Sequence, residues 1–344
     1  MEHGPFFYLM SWAGALIVST VTLWIVIHWS FFQKPFERRE AGREQLIPKF
    51  YRLGGAFLGG IFLIFLLGDS RLEWNPSFIA LGIGSFAIIL FSVADDLGHV
   101  RWPWHLSFQV LLGLLVYSSG MHLDFGAYLS RSGVHFPLSL GFFGVLAWVM
   151  LIMNAINWAD GTDGLMPGIA ALSFGTLFLL ALRPEVNQPT VAILAVVLFG
   201  LSLSLTFFNW YPARILAGTG GAYFFGFSLA VLALYAGMKV ATLLLVLALP
   251  VFDALFVLIR RILSGHSPFL PDHEHFHHFL LAQGWRPVSV ACAYLMVTGF
   301  MGLLALFLEG GSKAWVFMVA GSLLAILPLL LPVRLRVQRK EKLL

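Results

Sequence analysis

Asn154-Ala155-Ile156-Asn157-Trp158-Ala159-Asp160-Gly161-Thr162-Asp163-Gly164-Leu165 joins two apolar runs and is the most specific signal in the chain. Amide or acid side chains recur at every third residue, at Asn154, Asn157, Asp160 and Asp163. On a regular α-helix that spacing drifts by about 60° per step, so the four cannot share one face. Gly161, Gly164 and Pro167 mark a place where a helix ends or breaks. The stretch therefore predicts a helix whose last turn presents two carboxamides, followed by a loop presenting two carboxylates. On either side of it the chain is apolar.

The whole sequence has that character: 344 residues, 59% hydrophobic and 11% charged. Soluble domains carry about 25% charged residues, so an ordinary globular enzyme is excluded. A bilayer core about 30 Å thick needs roughly 20 apolar residues per helical span. Eleven stretches qualify or nearly qualify, at about 6–29, 50–68, 77–97, 104–123, 138–157, 165–182, 189–208, 220–237, 239–262, 287–308 and 314–332. The expected fold is all-α, a polytopic membrane protein of about eleven transmembrane helices, with residues 1–344 forming one integral-membrane domain. The leader Met1-Glu2-His3-Gly4-Pro5 lacks a basic region, so the first stretch reads as a retained helix, not a cleaved signal. The single cysteine, Cys292, excludes an intramolecular disulfide and a cysteine-rich metal site.

Charge sets the topology. Lys34, Arg38, Arg39, Arg43, Lys49 and Arg52 fall in the first connection. Arg101, Arg214, Arg260, Arg261, Arg286 and the tail residues Arg334, Arg336, Arg339, Lys340 and Lys342 fall on the same side. The other side receives Arg71, Arg131, Arg183, Lys239 and Lys313. Basic residues stay cytoplasmic, so the N-terminus is expected outside and the C-terminus inside. Cytoplasmic loops are then expected at about 30–50, 97–104, 157–165, 208–220 and 262–287. Every dense polar cluster falls on that side.

Carboxylates and imidazoles are costly beside hydrocarbon, so their clusters are candidate sites. Asp95 and Asp96 end the third stretch, pointing about 100° apart on a helix. They read as a cation-binding pair in preference to a solvated interfacial pair, since magnesium uses one or two carboxylates and substrate phosphates. Asn209-Trp210-Tyr211-Pro212-Ala213-Arg214 ends the seventh stretch. His273, His275, His277 and His278 follow the ninth, in a region opened by Ser267-Pro268-Phe269 and Pro271-Asp272. Clustered histidines suit zinc. They also suit a phosphate clamp, preferred here because Arg260 and Arg261 end the preceding stretch and guanidinium forks match phosphate oxygens. On a helix His275 and His278 share a face and His277 points elsewhere. Asp253, inside the ninth stretch, reads equally as a functional acid or as a structural partner of a buried Arg or a helix end. Gly218-Thr219-Gly220-Gly221 is a weak candidate for backbone phosphate contacts, set against an ordinary glycine-rich turn.

Taken in order, the motifs resemble those of the polyprenyl-phosphate N-acetylhexosamine-1-phosphate transferases, of glycosyltransferase family 4 type. The resemblance runs through Arg52-Leu53-Gly54-Gly55, Asp95-Asp96, the Asn154–Leu165 stretch, Asn209-x-x-Pro212-Ala213-Arg214, Asp253 and the segment from Ser267 to His278. The histidine segment looks like the N-acetylglucosamine-1-phosphate branch, less like the branch transferring phospho-N-acetylmuramoyl-pentapeptide. The resemblance implies a Mg²⁺-dependent enzyme of the bacterial inner membrane, with Mn²⁺ a possible substitute and a cytoplasmic site. Its substrates would be a UDP-N-acetylhexosamine and undecaprenyl or another polyprenyl phosphate, the products UMP and a lipid-linked sugar diphosphate that primes cell-envelope glycan synthesis. Asp95, Asp96, Asp160 and Asp163 would be catalytic, with Asp95, Asp96 and Asp160 holding the metal. Asn154, Asn157, Asn209, Arg214, Arg260, Arg261, His275, His277 and His278 would bind substrate. Membrane lipid and a second copy of the chain are further expected partners; nucleic acid is not.

The sequence departs from that pattern. Thr219 stands where the family places a magnesium-binding Asp, and a neutral hydroxyl is a poorer magnesium ligand than a carboxylate. A basic residue usual after the first acidic motif is replaced by His105, and the basic and histidine residues expected before Arg52 are not recognisable in Glu44-Gln45-Leu46-Ile47-Pro48. Two other readings follow. One is a catalytically weakened homologue that still binds nucleotide-sugar or lipid phosphate. The other is a polytopic transporter, which predicts broken helices and polar groups near the bilayer midplane.

Overall fold

The computed structural model describes residues 5–30, 52–72, 74–98, 100–123, 138–236, 239–265 and 275–330. Among them the regular structure is all helix, joined by turns, with no strand. The helices are α1 (Pro5–Ser30), α2 (Gly54–Gly68), α3 (Pro76–Gly98), α4 (Trp102–Ser118), α5 (Leu138–Trp158), α6 (Leu165–Ala181) and α7 (Pro189–Asn209). They continue as α8 (Gly218–Tyr235), α9 (Val240–Val246), α10 (Ala248–Leu263), α11 (Phe276–Ala282), α12 (Pro287–Phe307) and α13 (Gly310–Leu330).

Each of the eleven apolar stretches overlaps a helix or, at the ninth, a bent pair. Among the described residues six helices are long and apolar enough to cross a membrane, or seven if α9 and α10 count as one span. They mark a polytopic membrane protein. α2 and α6 are apolar but shorter. The ninth stretch is not the single straight span expected from its composition; α9 and α10 meet at 83°. Pro250 explains the break, because it cannot donate to the Val246 carbonyl and its ring crowds that position. Leu247 ends α9 by donating to the Leu243 carbonyl at 2.9 Å, and Val251 resumes the ladder onto Leu247.

α8 is the central helix. It is apolar all round, as a helix without a solvent or lipid face must be, and nearly all of it is buried. α5, α3 and α2 pack around it. α1 and α6 flank α7, and α12 packs on α6. Large apolar side chains such as Phe6, Ile17, Ile83, Phe86 and Met296 face outward, the surface a lipid solvent requires. The start of α8 is where the polar motifs meet. Gly218 has a φ of +66°, a conformation that costs glycine least, and a side chain there would strike the Arg52 carbonyl and the Asp96 carboxylate. Gly55 donates its N–H to the Ala217 carbonyl at 3.0 Å, locking α2 onto the same point. Gly218, Gly220 and Gly221 therefore serve helix packing here: Gly220 lies against Ser92 and Gly221 against Gly55.

Candidate active site

α5 ends at Trp158, and residues 159–164 turn the chain into α6. Gly164 makes that turn with a φ of +76°, and Pro167 sits in the first turn of α6, where its missing N–H costs nothing. Asn209 braces the turn from α7. Its Oδ1 accepts from the Gly164 N–H at 2.8 Å, while its Nδ2 donates to the Ile215 carbonyl at 2.9 Å. Asp163 is nearly buried and accepts from the Ala213 N–H at 3.0 Å. Asn209 and Asp163 thus tie the 159–164 turn to the 210–215 segment.

A cavity of about 970 Å³ lies beside this turn, between α4, α5, α10 and α11. One face of α5 forms its floor. Phe143, Leu146, Ala147, Met150 and Leu151 line it first, then Asn154 and Asn157, and Asp160 of the turn beyond them. At 1.5 Å per residue, the step from Phe143 to Asn154 is about 16 Å along the helix. The cavity is therefore apolar along one length and polar at one end. α4 contributes His105 and Gln109, α8 contributes Tyr223, α10 contributes Arg261, and the α11 segment contributes His275 and His278.

Of the residues singled out from sequence, Asn154, Asn157, Asp160, Arg261, His275 and His278 come together on this cavity. His277 is buried just behind it, with its imidazole against Gly161. Asp95, Asp96, Asp163, Asn209, Arg214, Arg260 and Thr219 do not line it. Asp163 and Asn209 are committed to the turn, and Arg214 is exposed. His277 and His278 lie on a short helix, not in the loop expected over 262–287, and His275 caps its start. Asp253 holds that start with both oxygens: Oδ1 accepts from the Phe276 N–H at 2.8 Å, and Oδ2 lies 3.1 Å from His275 Nδ1. The structural reading of Asp253 is the one its contacts support. His273, Asp272 and the Ser267-Pro268-Phe269 opening lie outside the described residues.

The adjacent acids part company, as their helical spacing requires. Asp96 is buried, with Arg52 Nε 3.6 Å from its Oδ1. Asp95 turns the other way. Its Oδ2 accepts from the Thr219 hydroxyl at 2.7 Å; its Oδ1 accepts from the Val100 N–H at 2.9 Å and lies 3.3 Å from His105 Nε2. The polar chain then continues into the cavity. His105 Nδ1 is 3.0 Å from the Tyr223 hydroxyl, Gln109 Nε2 donates to that hydroxyl at 2.8 Å, and Asn154 Nδ2 donates to Gln109 Oε1 at 2.7 Å. Gln109 and Tyr223 were not singled out by sequence reasoning. A lone carboxamide inside an apolar helix was the available signal for Gln109; Tyr223 carried none.

These positions do not fit a cation held jointly by Asp95, Asp96 and Asp160. Asp160 faces the cavity, Asp95 faces Thr219 and His105, and Asp96 faces Arg52 and Gly218. A carboxylate offers about four lone-pair sites, and neighbouring donors fill three of them on Asp95. Among the described residues no group of three or more His, Cys, Asp or Glu side chains is placed to hold a metal ion.

The core is similar to known proteins. Residues 78–237, from α3 to just past α8, match glycosyl transferase family 4. The chain is similar to that family over this region. That region supplies the α4, α5 and α8 walls of the cavity, while α10 and α11 lie beyond it. Relatives align over more of the length. A Bacillus subtilis (strain 168) protein, a probable undecaprenyl-phosphate N-acetylglucosaminyl 1-phosphate transferase, is 27% identical over 90% of this chain and 85% of its own. The undecaprenyl-phosphate alpha-N-acetylglucosaminyl 1-phosphate transferase of Yersinia pestis is 26% identical over 86% of this chain and 82% of its own. The phospho-N-acetylmuramoyl-pentapeptide-transferase of Oceanobacillus iheyensis is 26% identical over 88% of this chain and all of its own.

Proposed function

We propose that this protein transfers an N-acetylhexosamine 1-phosphate, N-acetylglucosamine 1-phosphate in preference, from a UDP-sugar to a polyprenyl phosphate, with release of UMP. The observation that carries the reading is the cavity floor, one helix face that is apolar from Phe143 to Leu151 and polar from Asn154 to Asp160. A polyprenyl phosphate has that polarity along its own length. The two relatives named as N-acetylglucosaminyl 1-phosphate transferases support the sugar.

In this reading an oxygen of the lipid phosphate attacks the β-phosphorus of the UDP-sugar. A new phosphorus–oxygen bond forms to the lipid phosphate, and the bond from the β-phosphorus to the bridging oxygen breaks, leaving with UMP. Such a transfer needs placement and neutralisation of spreading negative charge more than covalent help. Arg261, His275 and His278 would face the diphosphate. Asn154, Asn157 and Asp160 would hold the nucleotide-sugar, and the Phe143–Leu151 face the prenyl chain. The charge asymmetry of the loops supports a cytoplasmic polar end in a bacterial inner membrane, where UDP-sugars are available. The product would prime a cell-envelope glycan.

The test is incubation of purified protein with radiolabelled UDP-N-acetylglucosamine and undecaprenyl phosphate, with and without Mg²⁺ or Mn²⁺. Labelled lipid is the expected outcome. Thr219 on Asp95 favours one second reading, a homologue that binds donor without turnover; bound label with no lipid product would establish it. Neither binding nor product would leave a transporter.

A further inference from the structure

We infer that Asp95 in this chain is a positioning residue and not a cation ligand, and that Thr219 and His105, two of the departures from the family pattern, make it so. Both departures land on one carboxylate, Thr219 on Oδ2 and His105 beside Oδ1. That coincidence is not visible in the sequence, where they stand 114 positions apart on different helices.

The hydrogen bonds close without a cation. An ionised carboxylate only accepts, so His105 Nε2 carries the hydrogen it directs at Asp95. Nδ1 is then an acceptor, and the Tyr223 hydroxyl donates its hydrogen bond to it. The hydroxyl oxygen accepts from Gln109 Nε2, and Gln109 Oε1 accepts from Asn154 Nδ2. A single imidazole tautomer satisfies every member from Thr219 to Asn154. The chain has a direction and an end: it fixes the Asn154 carboxamide at the point where the cavity floor turns from apolar to polar. An acid that ligated a cation would point its lone pairs at the cavity. Asp95 points them at protein donors, and His105 takes the place on the cavity wall.

The two halves of the inference have separate tests. Detergent-purified protein is titrated with Mn²⁺ and the free-ion signal read by electron paramagnetic resonance, which needs no turnover and no particular substrate. The wild type and Asp95→Asn are expected to give the same isotherm, and Thr219→Asp to bind Mn²⁺ at least tenfold more tightly than either. Stoichiometric Mn²⁺ on the wild type that Asp95→Asn weakens tenfold or more overturns the inference, as does a Thr219→Asp isotherm no tighter than wild type. If Thr219→Asp does not accumulate, the wild-type and Asp95→Asn comparison decides alone. The positioning half rests on the proposed donor site and is read by calorimetric binding of UDP-N-acetylglucosamine. His105→Ala and Gln109→Leu should each weaken binding about tenfold, and the double variant should be no weaker than the worse single, because the two act in series. A hundredfold loss in the double, the product of independent effects, removes the relay. No UDP-sugar binding in the wild type would count against the proposed function and leave the Mn²⁺ result standing.

Discussion

His277 rests its imidazole on the backbone of Gly161, so closely that a methyl group added at Gly161 would overlap the ring. The contact joins the α5–α6 turn to the α11 segment, two regions more than a hundred residues apart. Gly161→Ala must displace His277, which is buried, and overpacking of this kind costs about 1–3 kcal/mol. The expected result is a lower melting temperature and at least a tenfold loss of lipid-linked product. His277→Ala makes room for the methyl. The double variant should therefore recover part of the stability lost in Gly161→Ala, measured by thermal melts of both in the same detergent.

Asp253 acts at the start of the same segment, accepting from the first N–H of α11 and facing His275. Loss of a helix-start acceptor costs about 0.5–2 kcal/mol. Asp253→Ala should raise amide hydrogen exchange across residues 275–282 by roughly tenfold, the equivalent of about 1.4 kcal/mol of local opening, and lower turnover. Asp253→Asn retains an acceptor for the Phe276 N–H and should exchange near the wild-type rate. Equal exchange in both variants would show that the carboxylate does not hold α11.

Asn209 and Arg214 looked alike in the sequence, two polar residues of one motif, yet the structure separates them. Asn209 is buried with both amide atoms bonded, whereas Arg214 is exposed. Asn209→Ala strands the Gly164 N–H and the Ile215 carbonyl, each worth about 1–3 kcal/mol when left unsatisfied in a buried setting. It should lower the melting temperature clearly. Arg214→Ala should change the melting temperature little, by the rule that exposed substitutions stay within about 0.5 kcal/mol. Thermal melts of the two variants in parallel check the contrast.

Local chemistry accounts for what could be read in advance. Glycine and proline at positions 161, 164 and 167 announced the α5–α6 break, and helical angles separated Asp95 from Asp96 and His277 from His275 and His278. Pro250 carried the α9–α10 bend and went unread, because an apolar run of spanning length hid it. Spacing could not tell which of four evenly spaced polar residues would turn inward: Asn154, Asn157 and Asp160 reach the cavity and Asp163 reaches Ala213. That outcome depends on where α7 ends. Tyr223 and Gln109 were out of reach for a similar reason. Their partnership depends on α4 lying beside α8, and helix adjacency leaves no periodic trace in either segment.

The apolar length of the cavity offers a test that spares the polar end. Met150 lies one turn before Asn154 on the same face of α5, with Leu146 one turn earlier. Met150→Trp adds an indole to the floor without touching the residues proposed to hold the nucleotide. If the prenyl chain lies along this face, the variant should raise KM for undecaprenyl phosphate by about tenfold or more and leave UDP-N-acetylglucosamine binding within about twofold. A bulky side chain costs little where the groove is open, so the melting temperature should stay close to wild type. A shorter prenyl phosphate should feel the substitution less, because fewer of its carbons reach past Asn154. Equal KM increases for long and short lipids would place the chain elsewhere on the bundle. A loss of nucleotide-sugar binding would show instead that the indole disturbs the Asn154 carboxamide, and Leu146→Trp, a full turn further away, then separates the two effects.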